Sequence, residues 1–357
     1  MVSKRGWRKS KIGSSKIWRP SGSSQDITLT KIRNKQTMRI LVLGGAGYTG
    51  SVLTRSLLER GDTVTVFDTF WFGDWLDDHQ RLTKITGDIR SLEVLPSGQY
   101  DACIHLANIA NDPGVELSPV LSWEVNALGS QLVAEFLTER GIPRLIFASS
   151  GSVYGIKDEP AVTEDLQLLP ISAYNKTKMV AERIFMSYSD VFLTHIVRPA
   201  TVCGVSPRMR FDLTVNMLTL DALTKGVITV YGGQQLRPNI HVQDLVRVYL
   251  HILDNPQAAP KVLNAGFENL SVKQIAERIV AIVPSKVKVE ESTDPRSYSL
   301  DSSKLVQSGF SPLKTVEDAV LEVADFVKRR SDYDRGEWRT VQRLKQLGLS
   351  EDPGNGA

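Results

Sequence analysis

Residues 39–50 read RILVLGGAGYTG, and this stretch decides the fold. Residues 40–43 form an unbroken apolar run, which predicts a strand buried on both faces rather than one with a wet side. Glycines then recur as G-x-x-G-x-x-G at Gly44, Gly47 and Gly50, and as G-x-G-x-x-G when counted from Gly45. Residues 50–60 have the spacing of an amphipathic helix, closed by Gly61. A strand, a glycine turn and a helix in this order have a physical use. Glycines allow a tight turn, close approach of backbone to a pyrophosphate, and packing of helix on strand. The free N–H groups and positive dipole end of the helix then face the phosphates. Gly44, Gly47, Tyr48, Thr49 and Gly50 are therefore candidates for binding a dinucleotide.

Outward from this stretch the same alternation continues. Residues 63–67 (TVTVF), 102–106 (ACIHL), 144–148 (RLIFA) and 192–197 (FLTHIV) predict strands, and 130–140 and 174–187 predict helices. Alternating βα units imply an α/β fold, a Rossmann-type doubly wound parallel sheet covered on both faces. The expected organisation is a dinucleotide-binding domain over 38–199 and a smaller C-terminal α/β substrate lobe over 200–330, with segments free to interleave. A polar tail, with one possible helix, is expected over 331–357.

Asp68 ends the second strand, 18 residues after Gly50. A carboxylate there accepts hydrogen bonds from the adenosine ribose and repels a 2′-phosphate. Residues 69–75 (TFWFGDW) contain no Lys or Arg, so the expected cofactor is NAD rather than NADP. Asp88 and Ile89, in GDIR (87–90), are candidates for the adenine edge, although an Asp in that position also suits a plain turn.

Composition closes off other classes. The 357 residues are 41% hydrophobic and 23% charged, a globular balance. No run approaches the roughly 20 apolar residues of a membrane span. Two cysteines, Cys103 and Cys203, cannot make a disulfide framework or a multi-cysteine metal site. Five histidines without an HExxH pattern leave no expected metal. Residues 1–37 carry ten Lys/Arg and one acid, and the remaining 320 carry 33 basic and 39 acidic residues. The body is thus mildly acidic, and nucleic acid is not an expected partner. The basic, Ser-rich head is expected to be disordered. It reads as a solvated tail or an over-extended start before Met38, as an organellar transit peptide, or as a contact for an anionic surface. A cytoplasmic location is expected, with organellar targeting by the head left open.

Tyr174 and Lys178 form Y-x-x-x-K, and i and i+4 share a helix face. An ammonium beside a phenol favours phenolate and supplies a base for alcohol–ketone chemistry near neutral pH. Upstream, Ser149–Gly155 reads SSGSVYG directly after a strand, which places a Ser hydroxyl near a reacting oxygen.

Taken with IHLA (104–107), Asn126, RPATVCG (198–204), RPNIHVQDL (237–245) and DPRSYSLDSSK (294–304), these pieces resemble a known family. It is the NAD-dependent nucleotide-sugar epimerase/dehydratase group of extended short-chain dehydrogenase/reductases, with a UDP-glucose 4-epimerase-like pattern. The resemblance spans about residues 38–325. It implies catalytic Ser150, Tyr174 and Lys178, with Lys178 also holding the nicotinamide ribose. It adds Leu106, Ala107 and Asn126 to the cofactor set, and implies a nucleoside-diphosphate sugar in the C-terminal lobe. Ser150, Ser152, Tyr174, Asn216, Tyr231, Arg237 and Arg296 are the implied substrate contacts. A homodimer is also implied.

The family's dehydratases and decarboxylases carry acids in the turn before the Tyr of VYG, where this chain has Gly151 and Ser152. What remains is oxidation of an alcohol and return of hydride to the other face of the same carbon, which is 4-epimerisation through a transient 4-ketosugar. The alternatives are a ketosugar reductase or sugar dehydrogenase, and a non-catalytic dinucleotide sensor. The loop Asn111–Pro113 sits where a sugar would approach. Arg208 and Arg210 read equally as phosphate contacts or as solvated charges.

Overall fold

The computed structural model describes residues 37–291, 297–333 and 335–350. The basic head, apart from Thr37, and Arg296 therefore lie outside the described residues.

Strand β1 (Arg39–Leu43), helix α1 (Tyr48–Arg60) and strand β2 (Thr63–Asp68) follow in order, with β3 (Leu82–Thr86) and β4 (Ala102–His105) beyond them. Helices α2 (Asp112–Leu117) and α3 (Pro119–Trp123) lead through a π-turn, Glu124–Leu128, into α4 (Gly129–Glu139). Strand β5 (Arg144–Ala148), a 3-10 turn at Gly151–Tyr154, α5 (Ala173–Ser187) and β6 (Leu193–Pro199) complete the first half. The second half contains β7 (Thr201–Cys203), α6 (Thr214–Lys225), β8 (Val227–Tyr231), β9 (Leu236–His241), α7 (Val242–Asp254), β10 (Val262–Ala265), β11 (Glu268–Ser271), α8 (Val272–Ile282) and β12 (Lys286–Glu290). Helices α9 (Ser303–Gln307), α10 (Val316–Lys328) and α11 (Thr340–Gln346) close the chain.

Seven parallel strands form the main sheet in the order β10-β6-β5-β4-β1-β2-β3. Ile40–Leu43 are fully buried, as the unbroken apolar run requires. Their side chains alternate between faces. Ile40 and Val42 pack with Leu53 and Leu57 of α1, whereas Leu41 and Leu43 join Val133 and Leu137 of α4. Burying each such side chain contributes roughly 2 kcal/mol. Strand order reverses between β1 and β4, and that point opens a crevice at the carboxyl ends of the strands.

The edge strand β3 was not anticipated. Its polar sequence, LTKIT, is only half covered, so it lacks the apolar run that betrayed its neighbours. Strand β10 returns from the second half to pair with β6, Val262 against Ile196. The rest of that half forms a sheet β11-β9-β7 and a pair β12-β8. Residues 335–350 fold back onto the body, and Trp338 is fully buried against Trp75, Phe211 and Phe326. Among the described residues, no helix is long and apolar enough to cross a membrane, and no His/Cys/Asp/Glu group could hold a metal ion.

Candidate active site

Two adjoining cavities occupy the crevice and share Gly44, Gly47, Trp71, Phe72, Leu106 and Asn108. The glycine turn is packed too closely for side chains. A Cβ on Gly44, at φ 83°, would lie 2.5 Å from Ala107 N, and one on Gly50 would lie 2.2 Å from the Gly44 oxygen. The far cavity is lined by Asp68, Asp88, Ile89, Leu106 and Ala107 and, among the described residues, by no Lys or Arg. Asp68 accepts from Ala46 N and Phe70 N, each at 2.9 Å, and burial raises its pKa. Asp88 pairs with Arg90 at 2.8 Å. This lining fits NAD: a ribose diol meets a carboxylate, and a 2′-phosphate would find no cation.

The near cavity is lined by Gly47–Gly50, Tyr174, Lys178, Arg208 and Arg210. Helix α5 delivers Tyr174 and Lys178, and Ser172 caps it by accepting from Asn175 N at 3.2 Å. Ser150 lies close enough to Tyr174 to lower its pKa. It also contacts Ser152 Oγ at 2.7 Å, and Ser152 donates to Asn175 Oδ1 at 2.5 Å. Lys178 Nζ donates to the Ala148 carbonyl at 2.8 Å and lies 4.9 Å from the centre of the Phe147 ring. Burial pushes Lys178 down to about 7.

The expectation that Lys178 brings the Tyr174 phenol towards neutrality needs correction. Burial dominates and pushes Tyr174 up to about 12, and the largest opposing influence is Arg210. Desolvation outweighs the attraction of the nearby Arg210.

Behind these groups a buried ion pair locks three elements together. Arg198 on β6 forks onto Glu182 of α5 at 2.9 and 2.6 Å, and Ser149 donates to the same carboxylate at 2.5 Å. Tyr48 is nearly buried and donates to the Gly204 carbonyl at 2.6 Å, tying the glycine turn to the second half.

Arg208 and Arg210 are not solvated charges. Arg208 is 3% exposed, its guanidinium lies 3.9 Å from the centre of the Phe72 ring, and its Nε has no hydrogen-bond partner. Burial lowers it to about 9. Arg210 pairs with Asp212 at 2.9 Å. Asn111 holds a positive φ of 66°, a strained setting for a residue with a side chain. Its Oδ1 accepts from Gly114 N, and its Nδ2 donates to Asp212 at 3.2 Å.

Other sequence candidates lie elsewhere. Asn126 lines neither cavity; it exchanges bonds with Ile109 N and O at 2.8 and 3.1 Å and braces the loop after β4. Asn216 is fully buried, accepting from Gly204 N and donating to Gly204 O and Arg210 O. Tyr231 is 57% exposed on β8. Arg237 donates to Leu236 O at 3.2 Å, and neither it nor Tyr231 lines either of these two cavities. The structure adds Trp71, Phe72, Tyr249 and Thr340 to the walls. It also brings Tyr298 close enough to Tyr174 to bear on its pKa. The sequence carried no spacing signal for these additions.

The fold and site define a dinucleotide-binding enzyme, with Tyr174 and Lys178 in the wall of the near cavity. The family description "NAD dependent epimerase/dehydratase family" matches residues 40–266, and the chain belongs to that family. Among curated proteins it is 27% identical over 316 residues to a UDP-glucose 4-epimerase of Lactobacillus helveticus, covering 80% of this chain and 96% of that protein. It is also 27% identical over 321 residues to UDP-glucuronic acid decarboxylase 1 of Danio rerio, covering 85% and 75%. Among solved structures, MoeE5 in complex with UDP-glucuronic acid and NAD superposes with a TM-score of 0.72 at 26% identity, covering 82% of this chain and 99% of that one.

Proposed function

We propose that this enzyme epimerises a nucleoside-diphosphate sugar at C4 through a transient 4-ketosugar. One observation carries the reading. The cavity reached by Tyr174 is lined by Lys178, Arg208 and Arg210 and by no carboxylate. This basic lining suits a ligand rich in phosphate. Among the described residues the lining offers no carboxylate for elimination or decarboxylation, and the neighbouring Asp212 is engaged by Arg210. The relatives' names agree with a nucleotide sugar and are divided on the reaction.

Gly44, Gly47–Gly50, Asp68 and Asp88 would hold NAD, and Lys178 its nicotinamide ribose. Bound NAD supplies a hydride acceptor and then a hydride donor at one sugar carbon. Tyr174 takes the proton of the sugar 4-hydroxyl as the C4–H bond breaks, and Ser150 donates to the carbonyl oxygen that forms. Rotation of the ketosugar exposes its other face, and Tyr174 returns the proton to the new alkoxide. Arg210 counters part of the cost of a buried phenolate, and the positive charge of a bound nicotinamide would supply more.

The test is product NMR with UDP-, GDP-, CDP- and dTDP-sugars, using purified enzyme without added cofactor. Conversion to the C4 epimer far beyond the amount of enzyme is expected. Conversion only with added NADH and a ketosugar would make the protein a reductase instead.

A further inference from the structure

Asn175 follows Tyr174 in the first turn of α5 and is fully buried. Its backbone N–H is held by the Ser172 cap at 3.2 Å, and Ser172 donates in turn to Asp112 at 2.6 Å. The Asn175 side chain ends a row of polar groups. Ser150 Oγ lies 2.7 Å from Ser152 Oγ, and Ser152 Oγ donates to Asn175 Oδ1 at 2.5 Å. Ser152 N also donates to Ser150 Oγ at 3.2 Å. Asn175 Nδ2, at the buried end of the row, has no hydrogen-bond partner. Ser150, at the other end, neighbours Tyr174.

Proton counting gives the row a direction. A hydroxyl carries one proton, and an amide oxygen carries none. Ser152 directs its proton to Asn175, so it can only accept from Ser150. The proton of Ser150 therefore points along the row, and Ser150 meets an incoming oxygen as an acceptor. That suits a sugar hydroxyl, which brings its own proton. It does not suit a ketone oxygen, which needs a donor. Half a turn of the Asn175 amide exchanges Oδ1 and Nδ2 within the same volume, and terminal torsions of this kind are broad and two-fold. Nδ2, unpaired in the first setting, then donates to Ser152. Ser152 donates to Ser150, and Ser150 donates to the ketone. Each hydroxyl keeps its own proton and only rotates.

We propose that Asn175 is a positioning residue for Ser150: its amide accepts from Ser152 while the substrate is an alcohol and donates to Ser152 while the substrate is a ketone. The inference rests on the alcohol–ketone cycle of the reading above and deepens it. Asn175 lines neither of the two cavities and acts through Ser152 and Ser150. Its effect therefore falls on turnover and not on binding.

The experiment compares wild type with Asn175→Ala, Ser152→Ala, the double variant and Ser152→Thr, on the sugar turned over in the NMR panel. Thermal midpoint is measured alongside kcat and KM. Loss of one directed hydrogen bond predicts a fall in kcat of about tenfold in each alanine variant, with KM within about twofold. The double variant should be no slower than the worse single one, because both residues act in one row. Ser152→Thr, which keeps the hydroxyl, should hold kcat within about twofold of wild type. An unchanged kcat in Ser152→Ala, a change confined to KM, or losses that multiply in the double variant overturns the inference and leaves the epimerase reading standing. Selective isotope labelling of asparagine side-chain nitrogen gives a readout that needs no substrate. The amide signal missing from Asn175→Ala should show, in the free enzyme, protons upfield of hydrogen-bonded amides. Downfield, bonded protons there overturn the inference. If wild type turns over no nucleotide sugar, the epimerase reading falls, and the amide signal alone decides the direction of the row.

Discussion

Lys178 Nζ stands 2.8 Å from the carbonyl oxygen of Ala148, at the carboxyl end of β5, with its charge buried. The lysine that should serve the cofactor ribose is thus held by backbone and bears the cost of desolvation. Its pKa falls from an ordinary 10.5 to about 7.

The sign of the linkage follows. Between pH 7 and 10.5 the unfolded chain keeps a proton on this lysine that the folded protein has lost, so stability rises with pH across that window. Below pH 7 the full penalty remains. Lys178→Met removes it, and about 1 kcal/mol of hydrogen bonding to Ala148 is lost in return. The variant should be more stable than wild type at pH 7, because the desolvation relieved exceeds the one hydrogen bond lost, and should be inactive. Urea unfolding at pH 7 and pH 10 checks this. A variant less stable at pH 7 would show that Lys178 is not under strain.

Tyr174 gives a complementary prediction. Pushed up to about 12 by burial, it should be protonated throughout the neutral range in the protein without cofactor. Wild type minus Tyr174→Phe, followed by ultraviolet phenolate absorbance, should show no ionisation below about pH 10. A phenolate signal at pH 8 without NAD would mean that the protein alone activates the residue. Turnover in Tyr174→Phe should fall by at least about 100-fold, the usual span of general acid–base catalysis, with the fold intact by circular dichroism.

Asn216 was legible as a polar residue and illegible as a structural one. Its Oδ1 accepts from Gly204 N at 3.0 Å, and its Nδ2 donates to Arg210 O at 3.0 Å with the side chain fully buried. Asn216→Ala leaves those backbone groups unpaired, and should cost about 2–3 kcal/mol of stability. Urea denaturation of the NAD-free protein measures it. A loss of sugar affinity with no loss of stability would restore the substrate role inferred from the family pattern.

The same contrast explains what could be read beforehand. The glycine turn, Asp68 and the Tyr174/Lys178 face were legible because their geometry is local: a strand end, a helix start, one helical turn. Asn126 and Asn216 were recognised as polar positions, but their partners Ile109 and Gly204 are set by loop packing, which no spacing encodes. Arg208 reads equally as a phosphate contact or a solvated charge, and the Phe72 ring 3.9 Å from its guanidinium shows it is not solvated. Thr340 meets Asp212 across 128 residues, in a segment that reads as a polar tail with one possible helix and carries no spacing signal for contact with the body.

Arg208 supplies the last prediction. It stacks on Phe72 and lines the cavity that holds Gly47–Gly50, and its Nε is unpaired. A buried guanidinium with an open donor is poised for an anion, and only a phosphate or carboxylate offsets its desolvation well. Arg208→Met keeps the stacking bulk and deletes the charge. Removing the unpaired charge should leave stability equal or higher. Affinity for anionic ligands should fall by at least about tenfold, because charge-assisted bonds contribute roughly 1.5–3 kcal/mol. Calorimetry with NAD and with the nucleoside diphosphate separates the two sites. A drop for either alone identifies the phosphate that Arg208 serves, and unchanged binding of both would reduce Arg208 to a packing residue over Phe72.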